Sequence, residues 1–455
     1  MALDQIRKAH FVGLGGIGMS AMLRLFAARG IAVSGSDLNL PPLETLPAGN
    51  FHSSHHGDFV PVDTDLLIYS SAVPEKNPER MKARELGIQE LSYPEALAAV
   101  TETYTTIAVS GTHGKSTTTA ILGKLFEAGD LDPSVIVGAE VKGWTEHNLR
   151  RGESDVFIVE ACEYRRHMMK LTPQAIVLTN LELDHPDYYR DLDDIKSAFK
   201  DYISKLGGEG LLVMNNDDAN IRDIMRGFDG IIVSYGVGSD ADLVAKNISA
   251  GTEVQTFELI WKGATLGEFT TPLPGLYNIY NILAAAAAYL AYSGKHERIQ
   301  GVLDNFHGVG RRFEVIGSLG ECTIISDYAH HPTALKAVVE AALGRYKGKH
   351  LLTIFRPHQR ERTQKLFDQF VNVLGNIPEL LLVEIYDVAG REEGITVSSR
   401  DLIEKVGEKF PNAHMVYAKD LEEAERIARA EVANFDVILV VGAGDADELA
   451  KRLVK

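Results

Sequence analysis

Residues 105–126, TTIAVSGTHGKSTTTAILGKLF, contain the pattern that decides the fold of this chain. A run of apolar and β-branched residues is followed by a glycine turn and then by apolar residues at helical spacing. This strand–turn–helix order is the repeating unit of a parallel α/β sheet. The turn resembles a P-loop, but only two residues separate Gly111 from Gly114, whereas a P-loop has four between its glycines. The loop therefore raises the question of whether it holds a triphosphate.

The turn nevertheless carries the groups that a triphosphate requires. Gly111 and Gly114 allow the backbone to form an anion-binding nest. Lys115 can reach the β- and γ-phosphates, Ser116 offers a hydroxyl to Mg²⁺, and Thr117 can donate to phosphate. We therefore predict a nucleotide site at this loop.

A second glycine turn, GLGGIGMS at 13–20, lies near the N-terminus, with Asp37 at the end of the next strand. The spacing Gly13-x-Gly15-x-x-Gly18 is that of a dinucleotide fingerprint, so an NAD-dependent enzyme is one interpretation. However, glycines and a helix N-terminus can bind any diphosphate, including that of a UDP-sugar. This motif alone leaves NAD and UDP open.

Apolar runs alternate with helical stretches along all 455 residues. We predict an α/β fold with three tandem domains: a Rossmann-like N-terminal domain (1–103), a P-loop ATPase-like central domain (104–310) and a Rossmann-like C-terminal domain (311–455). The alternation in 254–273 predicts β-structure, and the Ala-rich segment 275–294 predicts a helix. Because ligands bind beyond the carboxyl ends of parallel strands, we expect the motifs to converge on one cleft.

Composition excludes several classes of protein. The net charge is −17, so the chain as a whole should repel nucleic acid and anionic membranes. No apolar stretch is long enough to span a bilayer, and the first residues lack the pattern of a signal peptide. Two cysteines, Cys162 and Cys322, exclude a disulfide framework and suit the reducing cytoplasm.

Polar residues follow several predicted strands. Glu160 ends one strand of the central block, and Asn180 and His185 follow the next. Glu160 with Ser116 would suit Mg²⁺, which prefers oxygen ligands. Asp184 is either a residue that supports these ligands or a solvated turn carboxylate.

The C-terminal block has its own candidates. Arg311 and Arg312 lie at the domain junction, where an arginine could reach a γ-phosphate when the domains close. Asp327, Tyr328, His330 and His331 follow a strand. The segment 355–363 adds His358 and Arg362, and an arginine fork suits the carboxylate of a free amino acid.

Together these motifs resemble those of the Mur ligases, the ATP-dependent amide-forming enzymes of peptidoglycan precursor synthesis. The matching motifs cover the whole chain in order: GTHGKST (111–117), HFVGLGGIGMS (10–20), SGSD (34–37), IYSSAVP (68–74), EACEYRRH (160–167), TNLELDHPDYY (179–189), RRFE (311–314), DYAHHPT (327–333) and FRPHQRERT (355–363). They are similar to the motifs of those members that join L-alanine to UDP-N-acetylmuramate. The resemblance favours UDP over NAD at the N-terminal turn.

The resemblance also implies roles for individual residues. Those expected at ATP are Gly111, Thr112, His113, Gly114, Lys115, Ser116, Thr117, Asn278, Asn281, Arg312 and Asp327. Those expected at the UDP-substrate are Gly15, Gly16, Ile17, Gly18, Ser36, Asp37, Ser70 and Ser71. Tyr328, His330 and Arg362 would bind the amino acid. Ser116, Glu160 and His185 would hold Mg²⁺. The expected catalytic residues are Lys115, Glu160, His185, Arg312, His330 and Arg362.

The chain departs from the family pattern at four positions. Arg360 replaces a usual aromatic residue, Ala334 replaces a common acidic residue, Ser116 replaces Thr, and Tyr277 replaces His. The first two lie on the amino-acid side and leave the choice of amino acid open.

The expected reaction is phosphorylation of a carboxylate by ATP, followed by attack of the amine of L-alanine on the acyl phosphate. Alternatives are a ligase that attaches a whole peptide to the same UDP-sugar in wall recycling, an NAD-dependent oxidoreductase, and a nucleotide-dependent binding protein without catalysis. We expect a cytoplasmic monomer or weak homodimer that binds small molecules and neither nucleic acid nor membrane.

Overall fold

The computed structural model describes residues 3–238, 240–387, 394 and 396–455. The chain forms three α/β units, each built on its own sheet. This confirms the predicted fold class.

The N-terminal unit has a five-stranded parallel sheet in the order β3-β2-β1-β4-β5, which is the order of a Rossmann sheet. Its elements are β1 (Lys8–Val12), α1 (Ile17–Ala28), β2 (Ala32–Ser36), β3 (Gly49–His52), β4 (Leu66–Tyr69), α2 (Pro78–Glu85), β5 (Gln89–Ser92) and α3 (Tyr93–Thr101).

The central unit has a ten-stranded sheet in the order β15-β14-β13-β12-β11-β10-β6-β9-β7-β8. Its strands are β6 (Thr105–Ser110), β7 (Ser134–Ile136), β8 (Leu149–Arg150), β9 (Val156–Glu160), β10 (Ala175–Leu178), β11 (Leu211–Asn215), β12 (Ile231–Gly236), β13 (Leu243–Ala250), β14 (Gln255–Trp261) and β15 (Ala264–Thr271). Its helices are α4 (Lys115–Ala128), α5 (Leu192–Ile203), α6 (Ala219–Ile224), α7 (Leu276–Ser293) and α8 (Ile299–Asn305).

Two predicted features of this unit are confirmed. The alternating segment forms the antiparallel pair β14–β15, and the Ala-rich segment forms α7. Residues Ala284 to Ala288 are all buried, and α7 packs against α4, the helix that follows the nucleotide loop. Small side chains let two helices approach closely, so the Ala-rich sequence sets the position of α7 beside the loop.

The C-terminal unit has a six-stranded sheet in the order β16-β17-β21-β18-β19-β20, in which only β16 is antiparallel to its neighbour. Its strands are β16 (Glu314–Leu319), β17 (Cys322–Asp327), β18 (Leu351–Phe355), β19 (Glu379–Val383), β20 (His414–Ala418) and β21 (Val437–Val441). Its helices are α9 (Pro332–Arg345), α10 (Arg360–Lys365), α11 (Phe367–Leu374), α12 (Ser399–Lys409), α13 (Leu421–Glu431) and α14 (Ala446–Leu453).

The predicted domain boundaries fall in the connections between α3 and β6 and between α8 and β16. Apolar clusters fill the two faces of the C-terminal sheet separately, whereas one cluster runs from the N-terminal sheet into the central one. Within the described part of the chain, no helix combines the length and apolar character needed to cross a membrane.

Candidate active site

The loop between β6 and α4 has the backbone that its glycines predict. Gly111 and Gly114 have φ of 131° and 82°, values that side chains with a Cβ rarely adopt. A Cβ at Gly111 would overlap the Thr179 hydroxyl, and one at Gly114 would overlap the Asn281 amide oxygen. Both glycines are therefore required by space as well as by conformation.

Neighbouring strand ends hold the loop in place. His113 N–H donates to Asn180 Oδ1 at 2.8 Å, and the Thr179 hydroxyl donates to the His113 carbonyl at 2.6 Å. Thr179 and Asn180 follow β10, the strand next to β6. The sheet order thus brings the loop and the end of β10 together.

Lys115 points back into the loop and pairs with a buried carboxylate. Its ammonium donates to the carbonyls of Gly111 and Thr112 at 2.6 and 3.0 Å, and lies 2.8 Å from Glu163 Oε2. Burial alone would lower the pKa of Lys115, but the Glu163 carboxylate raises it above its usual value. The cation therefore stays charged where a triphosphate would need it.

Acidic residues and a histidine surround this lysine. Ser116 Oγ donates to Glu160 Oε2 at 3.2 Å, as expected for two ligands of one cation. The carboxylates that contact His185 are those of Glu163, at 3.5 Å, and Asp184, at 3.9 Å. Burial raises the pKa of Glu160, and its hydrogen bond from Gly138 N–H opposes this rise.

These donors suit a hard divalent cation. Ligand atoms of Glu163, Asp184 and His185 lie within 4.8 Å of one another. Carboxylate and hydroxyl oxygens beside a phosphate-binding loop are the ligands that Mg²⁺ takes in nucleotide sites. The residues present therefore fit Mg²⁺ with its nucleotide.

A cavity of about 450 Å³ opens from the loop between the central and C-terminal units. This size suits a small-molecule ligand. One wall comes from the central unit and the other from Arg312, Asp327 and α9. The central wall includes the predicted residues His113, Gly114, Ser116, Thr117 and Asn281, and adds Asn215, Asp218, Tyr235, Tyr277 and Tyr280.

Asn278 and Asn281 lie in the first turns of α7. Asn281 Nδ2 donates to Asn278 Oδ1 at 3.1 Å, and the Thr118 hydroxyl donates to Asn281 Oδ1 at 3.4 Å. Tyr277, which stands where the family pattern has His, packs against the apolar core of the C-terminal unit. The replacement therefore adds an apolar contact between the two units at the edge of the cavity.

The end of β17 places the C-terminal candidates together. Asp327 accepts hydrogen bonds from Phe313 N–H and Ala329 N–H, both at 2.7 Å, and burial raises its pKa. The Arg312 guanidinium lies 5.0 Å from the centre of the Tyr328 ring. Burial, with Arg362 nearby, lowers the pKa of His330 well below its usual value, so this imidazole is neutral at neutral pH.

Arg362 is buried rather than open. Its Nε and one terminal nitrogen donate to Asp184 Oδ1 at 3.0 and 2.8 Å, and only 2% of its side chain is exposed. The pKa of Asp184 is held well below its usual range, because the charge of Arg362 outweighs burial. Asp184 is thus a buried ion-pair partner, and a substrate carboxylate would share Arg362 with it.

Arg360, the other departure in this segment, has partners of its own. It lies 2.7 Å from an Asp387 oxygen and 3.5 Å from a Glu384 oxygen. The extra charge is therefore compensated within the C-terminal unit.

In the N-terminal unit, Gly15 and Gly16 are exposed at the start of α1, and Ile17 and Gly18 are half-buried. Asp37 accepts a hydrogen bond from Gly15 N–H at 2.8 Å, so it shapes the turn directly. Ser70 is half-buried and Ser71 is exposed, and both follow β4, beside β1. This turn is joined to the central unit, because Asn148 Nδ2 donates to the Ile17 carbonyl at 2.7 Å.

Ser36 differs from this group, since it is fully buried. Its hydroxyl donates to Glu79 at 2.8 Å and lies 2.8 Å from His55 Nδ1. His10 Nε2 lies 2.7 Å from the same carboxylate, which is also fully buried. Ser36 therefore belongs to an internal polar network beneath the glycine turn, and its hydroxyl does not reach the surface.

The structure thus brings several ATP candidates, together with Arg312 and Asp327, to one cavity, and leaves Ser36 inside the N-terminal unit. Glu160, His185, Tyr328, His330 and Arg362 are not among the residues that line this cavity. Sequence reasoning missed Glu163, although its place three residues after Glu160 was a signal. It also missed Glu182, Thr179 and the His10–Glu79 pair, whose contacts are distant in sequence.

Comparison with known families agrees with this geometry. The Mur ligase family catalytic domain matches residues 8–105, the Mur ligase middle domain 109–289, and the Mur ligase glutamate ligase domain 311–444. The chain belongs to the Mur ligase family.

Its full-length relatives include proteins named UDP-N-acetylmuramate–L-alanine ligase. The one from Alkaliphilus metalliredigens is 34% identical over 99% of this chain and 97% of its own. The one from Clostridium tetani is 36% identical over 97% of both chains. The solved structure of the UDP-N-acetylmuramate-alanine ligase of Thermotoga maritima, 25% identical, matches 98% of both chains with a TM-score of 0.81. A murein peptide ligase from Psychrobacter arcticus, 23% identical over 98% of both chains, has the same fold, with a TM-score of 0.73.

Proposed function

We propose that this chain is a UDP-N-acetylmuramate–L-alanine ligase, which uses ATP to join L-alanine to the carboxylate of UDP-N-acetylmuramate. The observation that carries the proposal is the cavity at which the nucleotide loop, whose Lys115 pairs with the buried Glu163, meets Arg312 and Asp327 of the C-terminal unit. Full-length relatives with this name support the substrates.

The first step activates the sugar carboxylate, which is by itself a poor electrophile. Its oxygen attacks the γ-phosphorus of ATP and gives an acyl phosphate and ADP. Lys115 would place its charge against the transferring phosphoryl group, and Arg312 would approach it from the C-terminal wall of the cavity. Ser116, Glu160 and His185 would hold Mg²⁺, which supplies positive charge to the phosphate oxygens.

In the second step the neutral amine of L-alanine attacks the acyl carbon, and phosphate leaves from the tetrahedral intermediate. His330 is our candidate for the group that accepts the amine proton, because it lies beside Tyr328 after β17 and its imidazole is neutral at neutral pH. Tyr328 and Arg362 would orient the amino acid with it. The docked C-terminal unit would keep water from the acyl phosphate, which hydrolyses readily.

The N-terminal turn would bind the diphosphate of UDP. Gly15 and Gly16 are exposed at the start of α1, where backbone donors and the helix dipole favour an anion. Ile17, Gly18, Asp37, Ser70 and Ser71 complete this proposed site. Ser36 would support it from below through the Glu79 network.

The direct test is phosphate release from ATP in the presence of UDP-N-acetylmuramate. Release that requires L-alanine supports the proposal. Release that requires a tripeptide instead would mean a peptide ligase, and ATP binding without turnover would mean a binding protein. The cytoplasmic location and the monomeric or weakly dimeric state stay predictions.

A further inference from the structure

Residues 182–186, which we call the docking segment, lie in the connection between β10 and α5 and contact the C-terminal unit at several positions. The Thr333 hydroxyl donates to Glu182 Oε2 at 2.8 Å, and His331 Nε2 lies 3.1 Å from the Leu183 carbonyl. Lys365 Nζ donates to the Pro186 carbonyl at 2.6 Å. With the Asp184–Arg362 pair, four residues of the segment, namely Glu182, Leu183, Asp184 and Pro186, have partners in the C-terminal unit.

Glu182 differs from the rest of the segment because it also contacts the nucleotide loop. Its Oε1 lies against His113 Nε2, and its N–H donates to the Thr112 hydroxyl at 3.0 Å. Its Oε2 therefore faces Thr333, and its Oε1 lies between the nucleotide loop and the C-terminal unit. His331 Nδ1, also from the C-terminal unit, lies 3.4 Å from Oε1.

The charge of this carboxylate matters because it lies beside a loop built for an anion. Burial opposes ionisation of Glu182, but the hydrogen bond with His113 lowers its pKa, so it is ionised at neutral pH. A carboxylate near a triphosphate is repelled by it, and a hydrogen-bond donor that holds the carboxylate in place limits this repulsion. Docking of the C-terminal unit supplies such a donor through Thr333.

We infer that Glu182 is a positioning residue that couples docking of the C-terminal unit to nucleotide binding at the 111–117 loop. When the unit is docked, Thr333 holds Oε2 away from the phosphates and offsets its charge. When it is undocked, Glu182 keeps its contact with His113 but loses the Thr333 donor, and its carboxylate then weakens nucleotide binding. Because coupling is reciprocal, bound nucleotide also favours docking, so that the amino-acid residues assemble only over a loaded loop. The inference rests on the proposed function for the identity of the nucleotide.

A double-mutant cycle with full-length protein tests this coupling. The measured quantity is the Kd of a non-hydrolysable ATP analogue with Mg²⁺, determined by calorimetry. Thr333→Val, which removes the hydroxyl but keeps the shape, should weaken binding about fivefold, the low end of typical allosteric coupling. In the Glu182→Gln background the same substitution should have no effect, because no charge is left to offset.

Two controls separate coupling from a loss of packing. Thr333→Ser keeps the hydroxyl and should bind as the wild type does. Glu182→Gln alone should bind the analogue at least as tightly as the wild type, and a tenfold loss would overturn the inference. Equal weakening by Thr333→Val in both backgrounds, or none in the wild type, would also overturn it. Binding of the analogue does not require turnover. The double-mutant cycle can therefore be interpreted even if the protein fails to release phosphate in response to L-alanine.

Discussion

Asp184 of the central unit and Arg362 of the C-terminal unit form a buried ion pair across the domain interface, with nitrogen–oxygen distances of 2.8 and 3.0 Å. The two residues are 178 positions apart in sequence. Both side chains are almost fully buried, so each is the main neutralising partner of the other. This pair fixes the C-terminal unit over the loop that carries His185.

Removal of one charge should therefore undock the C-terminal unit. Asp184→Asn leaves the guanidinium of Arg362 buried without a counter-charge, which typically costs about 3–5 kcal/mol. We expect a larger radius of gyration by small-angle X-ray scattering and slower phosphate release. Lys196→Gln, which breaks an ion pair with Asp223 within the central unit, is the matched control and should change neither. An unchanged radius in Asp184→Asn would contradict this role.

Lys115 should be required for phosphoryl transfer, and its effect on stability can be separated from its effect on activity. Lys115→Met should reduce phosphate release at least about 100-fold, the scale of losing one placed charge donor. It also leaves the buried Glu163 without its ammonium partner. Lys115→Met/Glu163→Gln should regain thermal stability and remain inactive. Amide formation at the wild-type rate in Lys115→Met would refute the proposed function.

The nucleotide loop should not tolerate a side chain at Gly114. Gly114→Ala combines positive φ with an overlap at Asn281, and we expect loss of ATP-analogue binding. Gly207 also has positive φ, at 63°, but nothing lies within 4 Å of its added Cβ. Gly207→Ala should lower the unfolding free energy by about 1–2 kcal/mol and leave binding unchanged. Equal binding losses in the two variants would show that strain alone, rather than the overlap, is responsible.

The Glu79 network should affect the binding of the UDP-sugar and not that of the other substrates. Glu79→Gln changes the hydrogen bonds to His10 and Ser36 beneath the glycine turn. We expect the KM for UDP-N-acetylmuramate to rise several-fold, with kcat and the KM for L-alanine unchanged. Steady-state kinetics with each substrate varied in turn will measure this split. A fall in kcat alone would place the network in a different role.

Stability should decrease as the pH falls below 6.5, the ordinary pKa of histidine. Burial lowers the pKa of His330, His331 and His167 in the folded state. Below pH 6.5 the unfolded chain therefore binds more protons than the folded one, and acid favours unfolding. Urea midpoints at pH 7.5, 6.5 and 5.5 will show this trend. His330→Gln should reduce the slope, and a pH-independent midpoint would contradict the assignment.

The parts of the site that are local in sequence were predictable. The loop at 111–117 and the acids at strand ends follow from residue type and spacing, because a parallel sheet places its loops at one edge.

The contacts between units were not predictable, since no local pattern pairs Asp184 with Arg362 or Thr333 with Glu182. Ser36 illustrates the same limit, because the resemblance assigns it to the UDP-substrate whereas its hydroxyl bonds to the buried Glu79, a contact that is distant in sequence. Likewise the sequence of β13 lacks a clear alternation of apolar and polar residues. This strand forms because its backbone pairs with β12 on one side and with β14 on the other.

The cavity beside the loop has a consequence for inhibitor discovery. Ala334, Ala337 and Val338 of α9 form one wall, and tyrosines of the central unit form the other. A compound library screened against an excised central unit would encounter only the wall that the central unit contributes. Compounds that contact both walls would stabilise the docked arrangement of the two units. Such compounds would be found only in a screen against the intact chain.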